Sequence, residues 1–518
     1  MDRTLSIRFT SDTHGYLYPT TFADQQARDM GLMRLAAAYP HDGNTLIVDG
    51  GDTIQGSPMT NLYARLTREE QAQCVTEDTH GKNPFAAMMN LAGYQFVTLG
   101  NHDFNNGLDA LYDYLTELDA ICLCCNIRDK EGRLPIAPYA IHQLENGLCV
   151  GLVGACTHHV ARWEHPATVE ELVIEEPVPA IARALEAIRP QCDVTVLIYH
   201  GGFECDLDTG KRLTDSTENE ACRICEELDF DLLLTGHQHI ALPGKRYGNS
   251  HLVQPTYRAP HVCAVTLTVH EDGTKDIASE LIPATQEPLP EAAALLSPLN
   301  QKVQAWLDQP AGFLDRALPA EDHLGSAVNG SPLANFINTV QLAASGAQIS
   351  ACALPNEFKG LPATVTVRDV VSTYIYTNTL VVLDMTRAQL KQYMERSAEY
   401  FDHDEAGNLV ISDAFLRPKM EHYNYDRFSG VDYVIDTTRP HGQRVTSIRL
   451  FGREMDDMET VSVCINSYRS SGAGGYEFLV GQKVLADIQV DVADSMIEYI
   501  VQHPDIKVDM HKYCTVIG

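Results

Sequence analysis

Short apolar runs alternate with helix-like stretches from the start of the chain to about residue 285. The runs are "LSIRF" (5–9), "TLIV" (45–48), "FVTL" (96–99), "CVGLVG" (149–154), "VTVLIY" (194–199) and "DLLLT" (231–235). They are short and rich in β-branched residues, which is typical of strands. The stretch 178–190 between them has a helical pattern. Strands that are apolar throughout are buried on both faces, so this part of the chain predicts an α/β domain.

A different pattern follows a proline-containing stretch. Residues 281–300 hold four prolines and lead into an Ala/Leu-rich segment, which predicts a linker and a connecting helix. The segment 386–401 is amphipathic and has Thr386 and Gln389 at capping-box spacing, so it predicts a helix. Strand-like runs "YVID", "VTSIRLF" and "VSVCIN" follow, and a helix near 490–503 is expected to close the chain. We therefore predict a first domain over 1–285, a linker with connecting helix over 286–317, and a second domain over 318–518.

Composition and charge narrow the class of protein. The 518 residues carry a formal charge of −32, which argues against a duplex nucleic acid as partner. No apolar run is long enough to cross a bilayer, so we expect no membrane span. The first residues lack a signal-peptide pattern, which predicts a cytoplasmic protein unless a leader was removed. The 14 cysteines, including "CLCC" and "CRIC", form no regular framework, and we expect free, mostly buried thiols.

Polar residues follow five of the predicted strands at the point where each strand ends. They are Asp12 and His14, Asp52, Asn101 with His102 and Asp103, His200, and His237 with His239, and nearly all stand beside glycine. The carboxyl ends of strands in an open α/β sheet form the ligand crevice, so these side chains are expected to meet. Carboxylate, imidazole and amide ligands without cysteine suit a borderline divalent ion rather than a closed structural zinc site.

The order D-x-H, G-D, G-N-H-[DE], H-G and G-H-x-H resembles the signature of the calcineurin-like metallophosphoesterases, and "GDTIQGSP" (51–58) resembles their two-domain 5′-nucleotidase type. The resemblance implies an N-terminal four-layer α/β/β/α sandwich, a linker helix and a C-terminal α+β domain. It also implies two divalent ions, with Zn, Mn, Fe and Co as candidates. The first ion would be held by Asp12, His14, Asp52 and His239, and the second by Asp52, Asn101, His200 and His237.

The same resemblance gives catalytic roles to the residues beside Asn101. His102 would face the substrate phosphate, where it can hydrogen-bond the phosphoryl group or protonate the leaving oxygen, and Asp103 would be its near neighbour. The 5′-nucleotidases of this type usually have Asp three places after that histidine, whereas this chain has Asn105. Asp103 is the candidate substitute for the missing partner.

The second domain resembles the 2′,3′-cyclic-nucleotide 2′-phosphodiesterase/3′-nucleotidase branch over 374–401, 423–445 and 465–478. It lacks the N-G-G-x-R segment of the 5′-nucleotidases, since "ISACALPNEF" (349–358) stands there. The resemblance places Tyr376 and Tyr468 on the two faces of a nucleotide base and Asn378 at the base edge. Stacking of this kind holds a base without selecting it.

These features predict a dimetal hydrolase that opens 2′,3′-cyclic nucleotides and then releases phosphate from the 3′-nucleotide. A 5′-nucleotidase or a broad phosphomonoesterase is the alternative within enzymes. A nucleotide-binding sensor without catalysis is the alternative outside them. The chain has no Walker loop and no Rossmann fingerprint, which argues against ATP-driven and NAD chemistry.

Overall fold

A computed structural model describes residues 2–24, 26–75, 82–164, 166–213, 217–376, 378–457, 459–488 and 490–518. The chain forms two compact units, Met1–Val303 and Gln304–Gly518. The division falls inside the helix Pro290–Leu307, within the predicted linker. The predicted boundaries after residues 285 and 317 stay predictions.

Two β-sheets form the centre of the first unit. The seven-stranded sheet has the order Lys275–Pro283, His261–Val269, Arg3–Thr10, Thr45–Asp49, Phe96–Val97, Ile121–Leu123 and Ile136–Ala137. The six-stranded sheet has the order Leu242–Tyr247, Ser250–Gln254, Leu232–Thr235, Val194–His200, Cys149–Cys156 and Tyr139–Gln143. The six-stranded sheet has a parallel centre and an antiparallel strand at each edge, whereas the seven-stranded sheet is antiparallel only at the edge formed by His261–Val269 and Lys275–Pro283. A small pair joins Ile127–Asp129 to Leu172–Ile174.

Alternation along the strands explains how the layers pack. Leu5, Ile7 and Phe9 are fully buried and share one core with Val196 and Ile198 of the other sheet. The opposite face of the six-stranded sheet packs on helices Pro177–Ile188 and Ala221–Glu227. Further helices of this unit are Leu32–Ala36, Pro58–Arg65, Arg68–Ala72, Pro84–Leu91, Gly107–Glu117, Val160–Trp163 and Pro166–Glu170, with 3₁₀ turns at Asn101–Phe104 and Arg189–Gln191. The predicted four-layer α/β/β/α arrangement is confirmed.

The second unit mixes helices with two larger sheets. The five-stranded sheet has the order Arg427–Ser429, Ile349–Cys352, Thr460–Asn466, Leu380–Thr386 and Val484–Ile488. The four-stranded sheet has the order Arg453–Glu454, Val445–Leu450, Asp432–Asp436 and Cys514–Ile517. Two-stranded pairs are Pro310–Phe313 with Thr364–Thr366, Leu318–Pro319 with Gly360–Leu361, and Phe401–His403 with Leu409–Ile411. The unit is therefore α+β, as predicted.

The helices of the second unit pack on these sheets. They are His323–Asn329, Pro332–Ser345, Val367–Thr373, Arg387–Ala398, Ser467–Ser470 and Val492–Gln502, with 3₁₀ turns at Asp413–Phe415, His422–Asn424 and Glu477–Leu479. The predicted capping box is present, because the Thr386 hydroxyl accepts from the Gln389 amide and the Gln389 side chain accepts from the Thr386 amide. The expectation that a helix closes the chain is wrong. Strand Cys514–Ile517 follows it and pairs with Asp432–Asp436, which gives the four-stranded sheet its last edge.

The cysteine prediction needs one correction. Cys205 and Cys222 form a disulfide, while the other twelve cysteines are free and mostly buried. The pairing joins two segments 17 residues apart that no spacing pattern linked in the sequence. Within the described residues, no helix has the length and apolar character needed to cross a membrane.

Candidate metal centre

The predicted ligands stand on loops that leave the carboxyl ends of parallel strands. Strands Arg3–Thr10, Thr45–Asp49 and Phe96–Val97 lead to Asp12, Asp52 and Asn101. In the other sheet, His200 ends its own strand, and His237 and His239 follow Leu232–Thr235. Parallel strands end at one edge of a sheet, and the two packed sheets bring both edges to the same place.

Glycines let these loops approach closely. Gly51 has φ of 89°, and a Cβ there would lie 2.2 Å from the Gly100 amide nitrogen. A Cβ on Gly100 would lie 2.1 Å from the Asp52 Oδ1 atom. Any side chain at either position would push the Asp52 and Asn101 loops apart. The glycines of "GGD" and "GNH" are therefore steric requirements of the site.

Five of the predicted ligands have left-handed backbone conformations. Nine non-glycine residues among the described ones have positive φ, and these five have values from 48° to 71°. They are Asp12, His14, Asp52, His237 and His239. Such conformations are unfavourable for residues with a Cβ and cluster at functional sites. The strain aims the side chains inward from the tight turns that follow the strands.

Three of the four predicted first-ion ligands converge closely, and Asp52 approaches them. The Nε2 atom of His239 lies 3.3 Å from Asp12 Oδ1 and 3.2 Å from His14 Nε2. His14 Nε2 lies 3.9 Å from Asp52 Oδ2. One donor atom from each of Asp12, His14 and His239 lies within 4.8 Å of the others. These distances suit a shared cation.

The second predicted group shares Asp52 with the first. His200 Nε2 lies 3.2 Å from Asp52 Oδ2 and 3.2 Å from Asn101 Oδ1. His237 Nδ1 lies 2.9 Å from the same Asn101 oxygen. The structure thus brings all seven predicted ligands together around the Asp52 carboxylate.

The hydrogen bonds of the histidines test whether a cation fits. The Nδ1 atoms of His14 and His200 lie 3.0 and 2.7 Å from the backbone carbonyls of Gln55 and Gly50, so these nitrogens carry the protons. In their neutral forms, the inward Nε2 atoms then present lone pairs to carboxylate and amide oxygens. His237 does the same with Nδ1, because its Nε2 donates to Glu218 at 2.7 Å. Lone pairs converging on oxygens require a positive charge between them, and the donor set fits divalent ions.

Charges and burial act in opposite directions on these groups. Burial alone would raise the pKa of Asp12 and Asp52, but His200 together with the other neighbouring histidines outweighs it and holds both pKa values below their usual range. Burial alone would lower the pKa of His200, but Asp52 and Asp12 raise it to about 10. Burial lowers the pKa of His14 despite Asp52. The site favours positive charge at its centre, which is what bound ions provide.

His102 is fixed against the shared carboxylate. Its backbone amide donates to Asp52 Oδ1 at 2.7 Å, and its ring lies 5.6 Å from the His14 ring, centroid to centroid. Its Nδ1 atom lies 2.8 Å from Asn105 Oδ1, and the Asn105 amide donates to Glu164 at 2.8 Å. The residue three places after His102 is therefore its partner even though it is Asn.

Asp103 makes different contacts from those expected of a partner for His102. Its carboxylate accepts from the backbone amides of Gly100, Asp52, Thr53 and Ile54. The group is buried, and burial together with the charge of Asp52 raises its pKa. Asp103 therefore ties the Asp52 loop to the Asn101 loop, while Asn105 takes the ring of His102.

The predicted base-binding residues lie in the second unit. Tyr376 and Tyr468 are half-buried, and Tyr423 contacts both, with ring centroids 6.2 and 6.4 Å away. Asn378 lies beside Tyr374, where burial raises the pKa of the Tyr374 hydroxyl and Asn378 opposes that rise. The sequence prediction missed Tyr423, which forms one group of rings with the predicted pair.

A buried arginine supports this group of tyrosines. Arg469 is fully buried and pairs with Asp426 at 2.6 and 3.1 Å. Its guanidinium also donates to the carbonyls of Tyr423 and Ala473 and lies 5.8 Å from the Tyr468 ring centroid. The buried Arg469 guanidinium thus contacts the ring of Tyr468 and the backbone carbonyl of Tyr423.

Comparisons with known proteins agree with this geometry. The family model "Calcineurin-like phosphoesterase" matches residues 5–241, and "5′-nucleotidase, C-terminal domain" matches 317–481. A crystal structure from Staphylococcus aureus, provisionally named a 5′-nucleotidase, is 30% identical with a TM-score of 0.90 and covers 99% of this chain and 100% of its own. The chain belongs to the calcineurin-like phosphoesterases with a 5′-nucleotidase C-terminal domain.

The curated relatives of this calcineurin-like phosphoesterase are named for different activities. The 2′,3′-cyclic-nucleotide 2′-phosphodiesterase/3′-nucleotidase of Haemophilus influenzae is 24% identical over 91% of this chain and 80% of its own length. The trifunctional nucleotide phosphoesterase protein YfkN of Bacillus subtilis is 23% identical over 97% of this chain. This chain spans 38% of the length of YfkN. The chain is an enzyme of the metallophosphoesterase family, whose members use a dimetal centre.

Proposed function

We propose that the chain hydrolyses nucleotide phosphate esters, opening 2′,3′-cyclic nucleotides to 3′-nucleotides and then releasing phosphate to leave nucleosides. The observation that carries the proposal is the convergence of six other candidate ligands around Asp52, with the His102 amide bonded to the same carboxylate. The names of several curated relatives support the choice of substrate, and Asn105 departs from the Asp that the 5′-nucleotidases usually have at this position.

The ligands would hold two divalent ions, with Zn, Mn, Fe and Co as candidates. Asp12, His14, Asp52 and His239 would hold the first, and Asp52, Asn101, His200 and His237 the second. Two bound ions supply Lewis acidity that activates water and offsets charge on the phosphoryl oxygens. The left-handed backbone conformations of the ligand loops keep the metal-binding atoms oriented for this role.

His102 would act as general acid. Its Nδ1 proton is held by Asn105, which leaves Nε2 to donate a proton to the departing ribose oxygen. In the first step that oxygen is O2′ of the cyclic ester, and in the second it is O3′ of the monoester. Asp103 would be a positioning residue, because its carboxylate is occupied by four backbone amides.

The second unit would hold the base. Tyr376, Tyr423 and Tyr468 offer ring faces on which a purine or pyrimidine can stack, each stack being worth roughly 1–3 kcal/mol. Because stacking does not read the base edge, we expect several bases to be accepted. Asn378 would contribute a hydrogen bond to the base edge from its place beside Tyr374.

A substrate panel tests the proposal. Protein loaded with Mn²⁺ or Zn²⁺ is assayed at steady state with 2′,3′-cAMP, 3′-AMP and 5′-AMP, and the first two should give the higher kcat/KM. A preference for 5′-AMP of more than about tenfold would overturn the choice of ester. Tight nucleotide binding without turnover of any substrate would show a sensor instead of an enzyme.

His102→Ala tests the role of the acid. The variant should keep both ions and lose about 10²–10⁴-fold in kcat. Asn105→Ala is the companion variant, since it removes only the partner of the ring and should have a smaller effect. Loss of metal from the His102→Ala protein would contradict the assigned role, because the side chain is not among the proposed ligands.

A 5′-nucleotidase activity is the second candidate. The Staphylococcus aureus structure, which this chain matches over its whole length, has that provisional name. The substrate panel distinguishes the two candidates directly. A cytoplasmic location and the absence of duplex nucleic acid and membrane partners stay predictions.

A further inference from the structure

The outer nitrogens of the ligand histidines meet different kinds of acceptor. Those of His14 and His200 meet backbone carbonyls. That of His237 meets the carboxylate of Glu218 at 2.7 Å. The His237 side chain is 9% exposed and that of Glu218 is 36% exposed, so the bond is partly shielded from water. A carboxylate in this position fixes the tautomer of His237 and makes the lone pair of its inward Nδ1 atom more basic, so that it binds a metal ion more strongly.

The backbone of Glu218 and the residue after it are both held by hydrogen bonds. Its own carbonyl accepts from the Thr157 hydroxyl at 2.8 Å. The next residue, Asn219, accepts from the Gly202 amide at 2.6 Å, two residues after the ligand His200. The segment that carries Glu218 is therefore attached to the strand end that carries His200.

The disulfide closes this segment. Cys205 and Cys222 bracket Glu218, and the Cys222 amide donates to Glu204 at 3.0 Å. The segment is thus connected covalently and by hydrogen bonds to the residues that follow His200. A closed loop has fewer accessible conformations than an open one, so the crosslink limits how far Glu218 can move from His237.

We propose that Glu218 is a positioning residue that orients His237 for the second ion, and that the Cys205–Cys222 crosslink keeps it there. The proposal rests on the metal centre proposed above. Loss of such a partner typically costs 10–100-fold in metal affinity. The effect should fall on the second ion, because the ligands of the first are oriented by other groups.

Titration of the full chain with Co²⁺ tests the role of Glu218. Calorimetry and the visible absorption of bound Co²⁺ follow the two equivalents separately. Glu218→Ala should weaken the second equivalent by about 10–100-fold and change its absorption, with the first equivalent unchanged. Glu218→Gln keeps an oxygen that can accept from His237 and should recover most of the affinity. Asp208→Asn, which removes one exposed carboxylate within the same crosslinked segment, should match the wild type.

The double substitution Cys205→Ser/Cys222→Ser tests the crosslink. It should weaken the second Co²⁺ in the same direction as Glu218→Ala. An unchanged second equivalent and spectrum in Glu218→Ala would overturn the role of Glu218. An unchanged second equivalent in the double serine variant would overturn the role of the crosslink. Fewer than two Co²⁺ bound by the wild type would instead overturn the underlying dimetal proposal.

Discussion

Removal of Arg469 is the sharpest test of how the second unit is held together. The guanidinium is fully buried, and it neutralises Asp426, whose side chain is 2% exposed. Arg469→Met leaves the Asp426 carboxylate buried without its counter-charge, while the Tyr393 hydroxyl still donates to it at 2.6 Å. Breaking a buried pair by removing one partner costs about 3–5 kcal/mol, because the other charge is left uncompensated.

Native-state hydrogen exchange measures this loss within the second unit. A cost of about 3–5 kcal/mol corresponds to exchange about 10²–10⁴-fold faster in peptides covering residues 420–430 and 460–475. Arg449→Met is the matched control, since Arg449 is exposed, and it should change stability by less than about 0.5 kcal/mol. The measurement is made on the full chain and needs no assumption of two-state unfolding.

The double variant Arg469→Met/Asp426→Asn decides the cause. It removes the uncompensated charge, so its peptides should exchange at least about tenfold more slowly than those of Arg469→Met. Equal or faster exchange in the double variant would refute the reasoning. The loss would then come from the carbonyls of Tyr423 and Ala473 that no longer have a donor.

Three further predictions concern metal, pH and substrate. Asp52→Ala removes the group common to both ion sites, and elemental analysis should find both ions lost; two ions retained would contradict the shared-ligand geometry. Burial raises the pKa of Asp49 from 3.8 to about 7, so its contribution to stability is present at low pH and is lost as the pH rises through about 7. The unfolding temperature of the wild type should therefore fall relative to that of Asp49→Asn between pH 5 and 7.5, and a constant difference would contradict this pKa. Tyr423→Ala should raise KM for 3′-AMP about 5–150-fold with little change in kcat, whereas Tyr423→Phe should not; a fall in kcat alone would argue against base stacking.

The convergence of the candidate ligands was predictable because their sequence pattern is local. Each ligand stands next to a strand end, and a glycine or a D-x-H or H-x-H spacing marks the turn. Asp12 and His239 follow strands that are far apart in sequence and belong to different sheets, and the packing of the two sheets brings these strand ends together. The sequence pattern therefore contained both the chemistry and the placement.

Neighbouring positions in a tight turn were harder to interpret. Asn101, His102 and Asp103 occupy one 3₁₀ turn, in which successive side chains point in different directions. Asp103 turns inward to the backbone amides, while the ring of His102 meets Asn105 one turn later. Adjacency in sequence suggested a contact that the turn does not allow.

Partners of the ligands had no sequence signal. Glu218 lies in a polar segment without a motif, and its importance follows only from the position of His237 in space. The same holds for Tyr257, whose ring stacks on that of His239 with centroids 4.5 Å apart. The Cys205–Cys222 bond and the strand Cys514–Ile517 also depend on long-range pairing that local patterns do not contain.

The left-handed backbones of the ligands have a consequence for engineering the scaffold. His239→Ala would remove the metal-binding nitrogen but keep a Cβ in a left-handed backbone conformation that disfavours one. His239→Gly would remove the same nitrogen and also the steric cost of that conformation. Glycine replacements should therefore give metal-free proteins that fold at least as well as their alanine counterparts. A chain emptied in this way would be a stable starting framework into which a different set of donors could be placed.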